Sequence, residues 1–161
     1  MIKKSVGFTG TQQGMTKNQK KVFRKIIQKF LDENKIEKFR HGDCLGADED
    51  AHRVIKEISL GINIYIHPPI ISTKRAFCKD YFYIHEKKQY LDRNHDIVNN
   101  SDILIATPKE HEQQLRSGTW ATIRYAKKIG KPTVIILTRG ELEIFTASID
   151  NAENVARLFK A

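Results

Sequence analysis

The sequence predicts an α/β fold in which one doubly wound, parallel sheet of about five strands carries helices on both faces. Three observations predict it. Short apolar runs alternate five times with stretches of helical periodicity, the connections between them are short, and one run, Ile103-Leu104-Ile105-Ala106, is continuously apolar. A continuously apolar strand is typical of a parallel sheet that is buried on both faces. Short loops and right-handed crossovers favour the strand order 3-2-1-4-5.

The first half of the chain contains three predicted strands, over residues 5–9, 38–41 and 62–66. The capping box Thr16-x-x-Gln19 predicts a helix from there to about Leu31, because the two side chains can satisfy each other's backbone amides. Apolar residues at i, i+3, i+4 and i+7 predict a second helix over about 47–60.

The second half of the chain begins with a segment, 70–90, that is rich in aromatic residues and poor in turn signals. We expect it to be irregular with some helix. Two further helices, over 90–99 and about 117–128, and two further strands, over 103–106 and 134–137, complete the alternation. Residues 139–161 are predicted as a C-terminal extension, with a helix over 151–160, that packs on the domain 1–138 or forms an oligomer interface.

The composition indicates a soluble globular protein. Of 161 residues, 40% are apolar and 29% charged, which suits one domain. No apolar run approaches the ~18 residues that a membrane span needs, so we expect no membrane partner. Cys44 and Cys78 form no CxxC pair and no disulfide framework. These features favour a cytoplasmic protein with reduced thiols.

The positive charge is concentrated near the start of the chain. The net charge is +9, and residues 1–40 hold 11 Lys and Arg against 3 Asp and Glu, whereas the rest holds 17 against 16. Much of the excess lies along one face of the predicted helix at 17–29. A basic face can hold nucleic acid, and a lysine-coated surface helix is the alternative.

Two glycine-containing segments are predicted at the switch point of the sheet, where doubly wound folds bind ligands. They are Thr9-Gly10-Thr11-Gln12-Gln13-Gly14 and Ser117-Gly118-Thr119, and each immediately precedes a helix. Free amide groups at a helix N-terminus favour a phosphate. Neither segment is a dinucleotide fingerprint or a P-loop.

Two other loops carry candidate polar groups. Asp43 lies between Gly42 and Cys44 at a strand end, where a carboxylate can accept hydrogen bonds from ribose hydroxyls. Arg75 and Arg93 are candidate phosphate clamps, because a guanidinium forks onto oxyanions. His41, Asp43, Asp48 and His52 offer metal-ligand chemistry, but their spacing matches no recognised metal signature, so we expect no metal and no cofactor.

The motifs together resemble the SLOG superfamily, Rossmann-like domains typified by DNA-processing protein A and the "lonely guy" phosphoribohydrolases. The resemblance covers about residues 4–138. It rests on Gly7-Phe8-Thr9-Gly10-Thr11, Gly42-Asp43-x-x-Gly46-Ala47-Asp48, the run Asp102 to Pro108, Ser117-Gly118-Thr119 and Gly130-Lys131-Pro132. It implies a pocket for a nucleotide or nucleotide-derived signal, and a homo-oligomer.

The same region also resembles nucleoside 2-deoxyribosyltransferases, but with a departure at one position. Those enzymes and the phosphoribohydrolases have a glutamate where this chain has Thr122, and threonine cannot act as a carboxylate. Ser117-Gly118-x-x-x-Thr122 instead resembles the SGxxxT pattern of DNA-processing protein A, which binds single-stranded DNA. The candidate ligand-binding residues are Thr9, Gly10, Thr11, Gly14, Gly42, Asp43, Gly46, Ala47, His67, Pro68, Arg75, Arg93, Asn94, Pro108, Ser117, Gly118, Thr119 and Thr122.

The favoured function is therefore binding of a nucleotide or nucleotide-derived molecule by a sensor, carrier or sequestering protein. One alternative is an N-glycosidic hydrolase or transferase that acts on nucleotides, with Asp43 or Asp48 as its candidate catalytic carboxylate. The other is single-stranded nucleic-acid binding through the basic helix at 17–29.

Overall fold

A computed structural model of the chain describes residues 4–147, which form a seven-stranded sheet with helices on both faces. The strands are β1 (Lys4–Gly10), β2 (Ile36–His41), β3 (Asn63–Ile66), β4 (Tyr83–Ile84), β5 (Ile103–Thr107), β6 (Thr133–Ile136) and β7 (Leu142–Phe145). Their order is β4-β3-β2-β1-β5-β6-β7. The five predicted strands are β1, β2, β3, β5 and β6, so the predicted doubly wound sheet and its strand order are confirmed.

Four helices pack on this sheet: α1 (Lys17–Asp32), α2 (Ala47–Ile58), α3 (Tyr90–Asn99) and α4 (Gly118–Lys128). α1 and α2 pack together on one face, and α3 and α4 pack together on the other, against β1, β5 and β6. α1 begins at the expected capping box, in which the Thr16 hydroxyl accepts the Gln19 amide at 3.1 Å and Gln19 Oε1 accepts the Thr16 amide at 2.9 Å. No helix within residues 4–147 is long and apolar enough to cross a bilayer.

Apolar side chains bury both faces of the sheet, in one cluster under α1 and α2 and two smaller clusters under α3 and α4. The largest lies under α1 and α2, where the rings of Phe8, Phe23 and Phe39 have centroids 5.3–5.9 Å apart. Of the two smaller clusters, one contains Trp120 and Ile123 and the other contains Leu104. Burial on both faces explains the continuously apolar sequence of β5.

Two short strands extend the sheet beyond the predicted five. β4 lies in the segment expected to be irregular, which otherwise contains one 3₁₀ turn, Ser72–Lys74, and it pairs parallel to β3. β7 lies in the expected C-terminal extension and pairs antiparallel to β6, so the sheet continues past residue 138. The helix predicted over 151–160 lies outside the described residues.

Candidate functional site

A cavity of about 910 Å³ opens at the carboxyl ends of β1, β2 and β5, at the topological switch point of the sheet. Its size is within the range of small-molecule sites. Nine of the predicted ligand-binding residues line it, and so does Asp48, a predicted catalytic candidate; the nine are Thr9, Gly10, Thr11, Gly42, Arg93, Asn94, Ser117, Gly118 and Thr119. The topology therefore brings together residues from four separate segments of the sequence.

The end of β1 forms one wall of the cavity. A side chain at Gly10 would overlap the Cβ of Ala47 and the hydroxyl of Thr107, so only glycine allows α2 and β5 to approach the strand this closely. The next residue, Thr11, donates its amide to the Thr107 carbonyl at 3.1 Å and accepts the Ala47 amide at 2.9 Å. These contacts fix the loop that follows β1 against both neighbours.

The N-terminus of α4 forms the opposite wall. The Ser117 hydroxyl caps this helix by accepting the Trp120 amide at 3.2 Å. The amides of Gly118 and Thr119 have no acceptor within residues 4–147, as is expected in the first turn of a helix. A side chain at Gly118 would meet nothing within 4 Å, which shows that the helix N-terminus faces open space. These two amides are available to an anion.

The loop from β5 to α4 closes a third side and carries both charge signs. Lys109, Glu110 and Arg116 line the cavity, together with the glutamines of the same loop and the 85% exposed Leu115. Arg124 of α4 holds the loop by donating to the carbonyls of Gln114 at 3.0 Å and Leu115 at 3.3 Å. Two cations and an exposed apolar side chain are thus placed at the cavity mouth.

Arg93 is the buried cation of the site. Its Nη1 donates to the carbonyls of Gly42 at 2.5 Å and His67 at 3.3 Å, and both Nη atoms lie 3.6 Å from Cys44 Sγ. It forms no ion pair with a described carboxylate, and its buried Nε has no partner within residues 4–147. A buried guanidinium on a cavity wall, with an Nε that has no partner within residues 4–147, is a group that an anionic or carbonyl-bearing ligand would satisfy.

Asp48 supplies the buried carboxylate of the same wall. Its Oδ2 accepts the Cys44 amide at 3.1 Å. Burial raises the pKa of this carboxyl to about 6, although the charge of Arg93 opposes the rise. Burial likewise raises the pKa of the Cys44 thiol. Cys44 is therefore a poor nucleophile, since the thiolate is the reactive form.

Asp43 does not line the cavity. It is fully buried in the left-handed region at φ 54°, and its carboxylate accepts Arg75 Nε at 2.7 Å and the Cys78 amide at 2.9 Å. Asp43, predicted to contact ribose, and Arg75, predicted to contact phosphate, thus bind each other. Their contact holds residues 75–78 against the β2–α2 loop. Neither is free to contact a ligand in the cavity.

The remaining predicted residues support the cavity from behind. Pro108 offers its carbonyl to the buried Gln19 Nε2 at 2.8 Å, and the Thr122 hydroxyl donates to the Gly118 carbonyl at 2.9 Å. His67 Nε2 accepts a hydrogen bond from Arg40 Nη1 at 3.2 Å. Outside the lining lie Gly14, Gly46, Ala47, His67, Pro68, Pro108 and Thr122.

His41, His52 and Cys78 have ligand atoms within 4.8 Å of one another, which raises the question of a metal. His41 Nδ1 accepts the Asp43 amide at 2.9 Å, so its proton resides on Nε2 and points to His52 Nδ1 at 2.9 Å. His52 then donates Nε2–H to the Lys79 carbonyl at 2.6 Å. Every ring nitrogen has a partner, and burial lowers the pKa of both histidines. This chain of neutral imidazoles fits a structural role better than a metal site.

Most of the loop between β5 and α4 lines the cavity, although its residues were not predicted to bind a ligand. Two side chains on the inner wall, Cys44 and Tyr90, were not predicted either. Tyr90 accepts Gln12 Nε2 at 3.4 Å, and its ring centroid lies 5.1 Å from the Arg93 guanidinium. The polar run from Lys109 to Arg116, directly after a strand that ends at the switch point, was a usable signal.

No model of a protein family matches the chain, and no curated protein sequence matches it. Among solved structures, it resembles the molybdenum cofactor binding protein of the phototrophic bacterium Rippkaea orientalis, with a TM-score of 0.64 and 19% identity over 98% of this chain and 85% of that one. It also resembles the Moco carrier protein of Chlamydomonas reinhardtii, with a TM-score of 0.59 and 19% identity over 87% and 78% of the two chains. A further structure of the Chlamydomonas carrier protein gives a TM-score of 0.60, with 16% identity over 98% and 86%. At these identities the similarity is one of fold, and it is consistent with the Rossmann-like doubly wound sheet that the sequence predicts.

Proposed function

We propose that the chain binds a phosphorylated heterocycle, either a nucleotide or a nucleotide-derived molecule, in the cavity between β1, β5 and α4, and that it acts as a sensor, carrier or sequestering protein. One observation carries the proposal. The open amides of Gly118 and Thr119 face the same cavity as the buried guanidinium of Arg93, whose Nε has no partner within residues 4–147. A ligand with a phosphate at one end and carbonyl or ring acceptors at the other would satisfy both.

The phosphate end of the ligand lies at the N-terminus of α4 in this proposal. The amides of Gly118 and Thr119 and the positive end of the helix dipole favour a dianion there. Lys109 and Arg116 line the same cavity and add positive charge. The absence of a side chain at Gly118 leaves room for the phosphate oxygens.

The heterocycle lies against Tyr90, Arg93 and Asp48 in this proposal. Tyr90 offers a ring for stacking, Arg93 donates to ring acceptors, and the Asp48 carboxylate accepts from ring N–H or amino groups. This wall is buried, so mismatched polar groups on a ligand would be costly there. Recognition of the ring is expected to depend on these three side chains.

The molybdenum cofactor is the first ligand to test. The structural neighbours from Rippkaea and Chlamydomonas are named for binding or carrying it. This cofactor is a phosphate ester of a pterin, so it belongs to the same chemical class as the nucleotides. In this protein it would be cargo.

The substitution Gly118→Asp tests the proposal. The new carboxylate would occupy the space of the phosphate and repel it, whereas the open surroundings of Gly118 leave the fold unstrained. We expect native mass spectrometry of the wild type purified from cells to show a bound phosphorylated heterocycle, and Gly118→Asp to lose it. Its melting temperature should stay close to that of the wild type.

A matched control is Gly61→Asp, which adds the same charge at a glycine outside the cavity where a Cβ would meet only the Ser59 hydroxyl, at 3.4 Å. This variant should keep the ligand. If calorimetric titration with the identified ligand gave equal affinities for Gly118→Asp and the wild type, the phosphate would not lie at α4 and the proposed site would be wrong.

A further inference from the structure

One half of a sheet face has no helix packed on it within residues 4–147. α3 and α4 cover β1, β5 and β6 on this face, and the segment between β3 and α3 forms the short edge strand β4 instead of a covering helix. Parallel sheets are normally covered on both faces. The side chains that β2, β3 and β4 present here are polar or aromatic, and they are half-buried or exposed except for Arg40, which is 8% exposed.

The uncovered surface is built around aromatic rings. The ring of Tyr65 on β3 has its centroid 5.5 Å from that of Phe82, 6.2 Å from that of Tyr83 and 6.3 Å from that of His85. Phe82 is 63% exposed and Tyr83 52% exposed. Large aromatic side chains clustered at this exposure are costly to leave in water, and they indicate a surface that binds something.

Two cations lie within the aromatic cluster. The Arg40 guanidinium is 4.4 Å from the Tyr65 ring centroid, and Lys38 Nζ is 5.4 Å from it. Neither cation has an ion-pair partner in the described part of the chain: Arg40 bonds only the neutral groups of Ser5, His67 and His85, and Asp102 acts on it at longer range. The two cations of this surface thus lack a direct ion pair within the described residues.

We propose that this surface, the open-face patch formed by Lys38, Arg40, Tyr65, Phe82 and Tyr83, binds single-stranded nucleic acid. Exposed aromatic rings on a sheet stack unpaired bases, and adjacent cations hold the phosphate backbone. Bases in a duplex are stacked on each other and are not available to such rings. The patch is separate from the cavity and lies on the sheet face opposite α1, so it differs from the basic helix as a nucleic-acid site.

The charge of the patch favours nucleic acid over a second copy of the chain. In a two-fold symmetric dimer the same patch faces itself, so Lys38 and Arg40 of the two copies would be brought together, and neither forms a direct ion pair with a described carboxylate. A phosphate backbone supplies the missing negative charge.

The test uses the full chain and a fluorescein-labelled oligothymidylate of about fifteen nucleotides, the upper range of a single-domain site. We expect fluorescence anisotropy to show binding at about 50 mM salt that weakens steeply by about 200 mM. The Phe82→Ala, Tyr83→Ala double variant should lose roughly five- to a hundredfold in affinity, from the typical effect of removing a stacking side chain. Tyr83→Phe alone should retain binding, because it keeps the ring.

Lys38→Gln and Lys21→Gln form a matched pair, because each removes one lysine charge and Lys21 lies on α1, on the other face of the sheet. We expect only Lys38→Gln to weaken binding by severalfold. The proposal is overturned by an absence of binding at low salt, by equal losses for the two lysine variants, or by unchanged affinity in a folded double alanine variant. It is also overturned if sedimentation shows a dimer that the double alanine variant dissociates, since the occupant is then a second copy.

Discussion

His67 lies at the end of β3, where Arg40 Nη1 is 3.2 Å from its Nε2 and the ring of His85 stacks on it with centroids 4.0 Å apart. Burial, then the charges of His85 and Arg40, lower the pKa of His67 to about 3 in the fold, from an ordinary value of 6.5. Between these two values the unfolded chain binds a proton that the folded chain does not. The free energy of unfolding should therefore fall as the pH is lowered from about 6.5 towards 3.

Other buried groups modify this pH dependence in known directions. His41 and His52 also have lowered pKa values and act in the same direction as His67, whereas Asp48, with its pKa raised to about 6, acts oppositely between about 4 and 6. Urea unfolding at several pH values measures the sum. The variant His67→Gln should flatten the acid-side slope. A wild-type stability that rises on acidification would contradict the assignment.

Asp43 shows what could not be predicted about single residues. Its position after a strand and between glycine-rich turns correctly indicated a carboxylate at the carboxyl edge of the sheet. Its partner, Arg75, is 32 residues away in a segment without periodicity, so no local pattern could pair them. The ion pair also depends on the left-handed backbone at Asp43, which the sequence does not reveal.

At the scale of secondary-structure elements, the N-terminus of α1 connects the helix to the cavity. Gln19 is fully buried, and its Nε2 donates to the carbonyls of Pro108 at 2.8 Å and Ile136 at 2.9 Å, besides its part in the capping box. Thr16→Ala removes a helix cap and should cost about 1 kcal/mol. Gln19→Ala also leaves two buried carbonyls unpaired and should cost roughly 2–4 kcal/mol. Chemical denaturation of both variants measures the difference.

Gln19 also fixes the start of the loop that borders the cavity. We therefore expect Gln19→Ala to weaken ligand binding as well as stability, and Thr16→Ala to affect stability alone. The conservative variant Gln19→Glu keeps the shape but not the donor, and should resemble Gln19→Ala. Equal stability of Thr16→Ala and Gln19→Ala would show that the hydrogen bonds from Gln19 to the two carbonyls contribute nothing to the free energy of unfolding.

The elements that were predicted well are those with a strong local signal. α1 has a capping box, α2 and α3 have helical periodicity, and β5 is continuously apolar. β4 and β7 have two and four residues, and each exists because a neighbouring strand offers an unpaired edge. Tertiary context decides such strands, so sequence pattern alone could not predict their pairing.

At the scale of the whole molecule, the strand order was enough to locate the cavity but not its full lining. The order 3-2-1-4-5 places the ends of β1 and β5 side by side, which brought Thr9, Gly10 and Ser117 to one site. The loop 109–116 has no periodicity, and its path follows from the anchor of Arg124 on the carbonyls of Gln114 and Leu115. That contact is formed only when α4 is in place.

The fold also determines which carboxylates lie at the cavity and could take part in N-glycosidic cleavage. That reaction needs a carboxylate near the anomeric carbon to stabilise a cation-like sugar. The resembling enzymes have a glutamate at the position of Thr122, whose hydroxyl here donates to the Gly118 carbonyl, and Asp43 is engaged with Arg75. Two carboxylates remain on the cavity wall. Asp48 already accepts a backbone amide, and Glu110 lies on the β5–α4 loop.

We therefore predict no release, or very slow release, of free base from nucleoside monophosphates and deoxynucleosides. Thr122→Glu should not create the activity, because Thr122 is not among the residues that line the cavity and catalytic groups must be held to within ~0.5 Å of productive geometry. The wild type and Thr122→Glu are each incubated for a long time with a panel of nucleotides. Chromatography of the free base then measures the activity of both proteins. Robust release by the wild type would contradict the prediction. Its loss in Asp48→Asn or in Glu110→Gln would then identify which carboxylate faces the sugar, because only these two acidic side chains in the described part of the chain line the cavity.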